Sequence, residues 1–170
     1  MRALLTVECS VFLTYHIDEI VGYDTTVGFT RWADRPASKN ADVCCLCLTL
    51  SQDLLFPQTV NILLAAGAIP FVKTNLPQAM LGFECSNPLW GRTTHPLSSA
   101  YTCGGSSGGE AALLAVSGSA LGFGSDLACS IRTPASFCGL YALKPGHSRV
   151  SHGGALGEAS NFPSFLLDLT

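Results

Sequence analysis

The sequence predicts an α/β fold, because from Val60 onward helix-like and strand-like segments alternate around glycine-rich turns. Composition points the same way. The 170 residues are 48% hydrophobic and only 12% charged, against about 25% charged in an average soluble domain. Mean hydropathy is +0.36. No apolar run reaches the ~18 residues of a membrane-spanning helix; the longest candidate, residues 44–56, is broken by Thr49, Ser51, Gln52 and Asp53. Such a chain reads as strands and helices that other layers cover.

The elements follow in order. Residues 1–43 are mixed and carry no long period, and residues 44–59 form a Cys/Leu-rich patch. The run Asn61-Ile62-Leu63-Leu64-Ala65-Ala66 predicts a helix ending at Gly67, a residue suited to the left-handed position after a helix. Residues 68–72 predict a short buried strand closed by Lys73-Thr74-Asn75. Pro88, Gly91, Pro96 and four glycines predict loop over 86–109. A helix is expected over 110–116, a second strand over 120–123 and a third over 140–143.

Several function classes fall away. A net charge of −3 with a pI near 5.7 gives no basic footprint for nucleic acid, and the apolar content excludes disorder. Of eight cysteines, Cys44, Cys45 and Cys47 crowd together and the rest scatter, so no zinc spacing exists. The amino end meets Glu8 before an apolar signal region can form. The expectation is free thiols in a cytoplasmic protein, with no metal, cofactor or membrane span; a secreted disulfide framework is the rival. His16, His95, His147 and His152 lack ligand spacing and are expected on surface or loops.

The densest chemistry is Cys103-Gly104-Gly105-Ser106-Ser107-Gly108-Gly109-Glu110. Glycines reach dihedrals closed to other residues, and N–H groups at a helix start make an anion-receptive concavity. Two serines there could relay a proton or meet an oxyanion; a flexible Gly/Ser loop is the bland alternative. Ser130 follows Ser106 by 24 residues, within Gly124-Ser125-Asp126-Leu127-Ala128-Cys129-Ser130-Ile131-Arg132.

Read with Phe71-Val72-Lys73-Thr74-Asn75-Leu76-Pro77, Ser86-Asn87-Pro88-Leu89-Trp90-Gly91 and Leu143-Lys144-Pro145, these blocks resemble the amidase signature family, in its fatty-acid amide hydrolase and fungal acetamidase-like branch. The resemblance is best over 60–151 and looser over 16–43. It implies an α/β/α layered fold with a mixed central sheet, residues 1–170 being part of an amidase domain. It implies hydrolysis of carboxamide bonds, of fatty-acid or small amides, by a Ser–Ser–Lys triad without metal. Ser130 matches the nucleophile that forms the acyl ester. Ser106 matches the bridging serine, held on a cis peptide bond. Leu127, Ala128, Cys129 and Ser130 match the N–H groups that meet the oxyanion, and Met80 matches a position whose backbone lies against the substrate. Asp126 and Arg132 are expected to hold structure by hydrogen bonding.

Four departures qualify the match. The family's lysine falls on Phe12, and only Lys39, Lys73 and Lys144 exist in the chain; Lys73 belongs to another block. Amidase activity is therefore expected to be severely reduced or absent, and a catalytically silent amidase-like fragment is the alternative. Ala128-Cys129 stand where the family has two glycines, and Cys129 reads as drift rather than as a substitute nucleophile. Removing residues 43–58 joins the flanks into uninterrupted family-like sequence, so that segment is expected to be an in-frame retained intron, with a redox-active or metal-binding Cys-rich insertion as the rival. Family members also continue for several hundred residues, so a central fragment is expected. A remote reading is an α/β-hydrolase with Ser106 as nucleophile, since Gly104-Gly105-Ser106-Ser107-Gly108 fits G-x-S-x-G with Asp126 and His147 or His152 following. It fails on the polar segment 97–102, read as loop where a buried strand is required.

Overall fold

The computed structural model describes residues 12–15, 26, 28–36 and 66–146, the first group by its backbone. Three short strands form the central sheet: β1 (Phe12–Tyr15), β2 (Ile69–Lys73) and β7 (Leu121–Gly122). β1 lies in the middle and runs parallel to both neighbours. Its register sets Phe12 against Ile69 and Tyr15 against Lys73 on one side, with an irregularity between Leu13 and Thr14. On the other side Leu13 meets Leu121 and Thr14 meets Gly122. Parallel strands joined through helices are the signature of an α/β fold, which the chain has.

The expected strands over 68–72 and 120–123 are β2 and β7, and the expected helix over 110–116 is α1 (Gly108–Ala115); β2 is not the buried strand expected, because Ile69 and Phe71 are exposed. Glu110 in the first turn of α1 complements the helix dipole. Beyond its end, Ser117 N–H and Gly118 N–H donate to Leu114 O and Leu113 O. A second helix, α2 (Arg132–Cys138), packs against α1. It ends at Gly139, left-handed at φ +74°, where Leu140 N–H donates to Ala135 O at 2.9 Å. Leu114, Ala111, Ile131, Ala135 and Phe123 are buried in the helix–sheet layer.

Three expectations are corrected. Residues 140–143 form no strand: the chain leaves α2 with Tyr141 and Leu143 exposed, and Leu143 makes only an isolated bridge. The segment 86–109 is not simply loop: its turn residues connect two antiparallel ribbons, β3 (Ser86–Asn87) with β4 (Gly91–Arg92), and β5 (Thr94–His95) with β6 (Ser98–Thr102). Segment 97–102, read as loop, is thus largely strand β6. It is an exposed two-stranded ribbon rather than a buried sheet strand, so it still gives no support to a G-x-S-x-G elbow. Strands this short fall below any periodic signal.

Side chains hold the ribbons in place. Asn87 is buried with both ends of its amide used: it donates to Asn75 Oδ1 and Leu76 O, and accepts from Leu89 and Trp90 N–H. His95 Nδ1 accepts from Leu97 N–H, which leaves Nε2 as the donor to Phe137 O at 3.0 Å and fixes β5 against α2. The expected helix over 61–66 lies outside the described residues except Ala66, which sits in a turn before Gly67 at φ +87°. Residues 43–58, Lys39, His16, His147 and His152 also lie outside the described residues.

Candidate active site

β2 runs out through Thr74–Asn75 and β7 through Phe123–Gly124, so the same carboxyl end of the parallel sheet receives both. That end is where α/β sheets place their chemistry. Glu110, buried on α1, joins the two exits: it accepts from Thr74 Oγ1 at 2.5 Å and from Phe123 N–H at 3.2 Å. Gly109 N–H donates to Asn75 O at 3.2 Å, and a Cβ on Gly109 would lie 2.5 Å from the Asn75 backbone. Only glycine permits that approach.

The glycine-rich turn between β6 and α1 carries the first serine motif. Gly104 adopts φ +84°, and a Cβ there would stand 2.8 Å from Pro134 Cα, so it seats the turn on α2. The Gly105–Ser106 peptide is cis, as the resemblance implies. Ser106 is fully buried, Ser107 nearly so, and neither hydroxyl oxygen has a hydrogen-bond partner among the described residues.

The second motif meets the first directly. Ser107 N–H donates to Ser130 O at 2.9 Å, which brings together two segments 24 residues apart in sequence. Segment 127–130 is partly open to solvent while Ser106 lies beneath the surface. Asp126 shapes this segment. Its carboxylate accepts from Cys129 N–H (2.8 Å), Ile131 N–H (3.2 Å) and Arg132 N–H (3.3 Å), and from Arg132 Nε and Nη2 at 2.9 Å each. Burial raises the carboxyl's pKa, but the Arg132 guanidinium and the three amides outweigh it and hold the group at about 2. The same ion pair raises the Arg132 pKa. The expected structural role of both residues is what the geometry contains.

Cys129 takes φ +80°, a left-handed conformation that is costly for a residue with a Cβ. Its N–H is committed to Asp126. The N–H groups of Leu127, Ala128 and Ser130 have no partner among the described residues, so three donors rather than four are available to an oxyanion. Met80 closes the short 3-10 turn Gln78–Met80 at φ +59°, and its sulfur accepts from Ser125 Oγ at 3.6 Å. Met80 thus borders the same segment.

Phe12 lies elsewhere. It begins β1, opposite Ile69, about 10 Å of strand back from the carboxyl end. Tyr15 occupies the carboxyl-end position, opposite Lys73. Lys144 Nζ donates to Pro145 O. Among the described residues no group of three His, Cys, Asp or Glu side chains could hold a metal, and no helix is long and apolar enough to cross a membrane.

The carboxyl end of an α/β sheet thus joins the glycine-rich turn bearing Ser106 to the segment bearing Ser130. The chain belongs to the Amidase family, whose model matches residues 56–164. It is 44% identical over 137 residues to fatty-acid amide hydrolase 1 of Sus scrofa, covering 81% of this chain and 21% of that protein. It is 52% identical over 107 residues to the vitamin D3 hydroxylase-associated protein of Gallus gallus, covering 63% of this chain and 23% of that protein. Among solved structures it matches a fatty acid amide hydrolase with a TM-score of 0.75 at 26% identity, over 93% of this chain and 25% of the other. A 6-aminohexanoate cyclic dimer hydrolase complexed with substrate matches with a TM-score of 0.77 at 25% identity, over 94% of this chain and 31% of the other. The chain thus spans roughly a fifth of the length of these curated relatives.

Proposed function

We propose that this chain carries the nucleophile and relay of an amidase that cleaves carboxamide bonds of a small-molecule substrate in the cytoplasm. The observation that supports it most is the Ser107 N–H bond to Ser130 O beside the cis Gly105–Ser106 peptide. Ser130 Oγ attacks the amide carbonyl and passes its proton towards Ser106. The developing oxyanion is met by the N–H groups of Leu127, Ala128 and Ser130, each worth about 2.7–4 kcal/mol in such a role. The oxyanion collapses, the C–N bond breaks and the amine leaves with the relayed proton; water then attacks the acyl ester on Ser130, which releases the carboxylic acid and restores the serine hydroxyl. A serine hydroxyl is a weak nucleophile at neutral pH and needs a base. The residues along β1 are Phe12, Leu13, Thr14 and Tyr15, without a lysine, so acylation is slow.

A second reading, a catalytically silent amidase-like chain, is favoured by Phe12 standing where the family's lysine falls. A fluorophosphonate probe separates the two. Slow labelling at Ser130, abolished by Ser130→Ala, supports the amidase reading. A folded chain that takes no label supports the silent one. Label on Ser106 instead would revive the G-x-S-x-G reading.

A further inference from the structure

Outside the serine site, two fully buried thiols, Cys85 and Cys103, converge on the start of α1. A Cβ built on Gly108 would lie 2.6 Å from Cys85 Cβ, 2.8 Å from Cys103 Sγ and 3.5 Å from Cys85 Sγ. Both side chains therefore crowd one glycine. They flank Thr93: Thr93 N–H donates to Cys85 O at 2.8 Å, and Cys103 Sγ lies 3.2 Å from Thr93 O. Among the described residues all cysteines are reduced.

We propose that Cys85 and Cys103 are a redox pair that a peroxide converts to a disulfide, Cys85 attacking and Cys103 resolving. The surroundings distinguish the two sulfurs. Hydrogen bonding from Cys103, from Thr93 and from the Gly108–Gly109 amides at the start of α1 lowers the Cys85 pKa despite burial. The Cys103 pKa is raised well above its ordinary value by its bond to Cys85 and by burial. A thiolate is the attacking form, and a helix amino end is a setting that favours it. The Cys85 thiolate attacks one peroxide oxygen, the O–O bond breaks, and hydroxide leaves to be protonated to water; Cys85 is now a sulfenic acid. The Cys103 sulfur then attacks the Cys85 sulfur, and the sulfenic hydroxyl leaves with the Cys103 proton as a second water. The two thiols lose two electrons and the peroxide gains them. Access comes through local opening of the β3–β4 ribbon, only two residues long on each strand.

The test is graded hydrogen peroxide on the folded chain, followed by non-reducing peptide mapping. The expected product joins the Cys85 and Cys103 peptides and is lighter by two hydrogens than the reduced pair, with its melting temperature raised. In Cys103→Ser, a sulfenic-acid reagent should label Cys85. Cross-linking seen only in denaturant, or Cys129 and Cys138 oxidised while the pair stays reduced, would overturn the proposal. Because the unmodified chain supplies that measurement, the test stands even if a variant does not fold, and its outcome is independent of whether Ser130 reacts with a probe.

Discussion

Replacing Asp126 with Asn tests whether one carboxylate shapes the whole nucleophile segment. In the native chain five N–H donors share its two oxygens: Oδ2 takes Ile131 N–H, Arg132 N–H and Arg132 Nε, while Oδ1 takes Cys129 N–H and Arg132 Nη2. An asparagine oxygen placed at the Oδ2 position keeps three donors and turns its NH₂ towards the other two. The Cys129 amide then loses its acceptor, and with it the tether that holds φ +80°. The carboxyl is held at about 2 against an ordinary 3.8, worth about 2.4 kcal/mol at ~1.4 kcal/mol per pKa unit. Because the Arg132 side chain is 47% exposed, solvent screening reduces that to about 1–2 kcal/mol. Adding an unpaired buried amide brings the expected loss in Asp126→Asn to about 2–4 kcal/mol at neutral pH.

The sign with pH follows from a depressed folded-state pKa. The carboxylate's contribution is complete above the unfolded value of 3.8 and is lost as pH falls towards the folded value of about 2. Denaturant titrations of both proteins at pH 7, pH 4 and near pH 2 therefore give curves that converge on acidification. Fluorophosphonate labelling at Ser130 should slow in parallel. Equal stability at neutral pH, or a gap that does not shrink in acid, would refute the reasoning.

Ser106→Ala removes a buried hydroxyl that has no partner among the described residues, so stability should stay level or rise by up to about 1 kcal/mol while probe labelling falls; a clear destabilisation would show that the hydroxyl is bonded. Asn87→Ala abandons two acceptors and two donors in the ribbon and should cost about 2–4 kcal/mol, read as a lower denaturant midpoint. Gly104→Ala combines a left-handed φ with a 2.8 Å approach to Pro134; a loss of about 2 kcal/mol or more is expected, with slower labelling as the turn shifts away from Ser130.

Much of this molecule was readable before any coordinates. The glycine and serine spacing led to the family, and the apolar runs at 68–72 and 120–123 led to β2 and β7. Their signals are local: a short apolar run bounded by turn residues reads as a strand whatever lies beside it. The ribbons in 86–109 were hidden because each strand is held by side chains such as Asn87 and His95 reaching distant partners. The helix α2 was hidden in the polar stretch Arg132-Thr133-Pro134-Ala135-Ser136, whose burial depends on α1. β1 carried no period, and its pairing on both sides is a long-range fact.

The sequence by itself determined the fold class and the family, because these depend on residue type and spacing along one chain. Only the tertiary structure decided how the site is assembled. It turned Cys129 N–H inward to Asp126 and buried the Ser106 hydroxyl with no hydrogen-bond partner among the described residues. It also set Tyr15 rather than Phe12 at the carboxyl end of β1, opposite Lys73. Those outcomes depend on strand direction and on which donor reaches a shared carboxylate first, and neither is written in spacing.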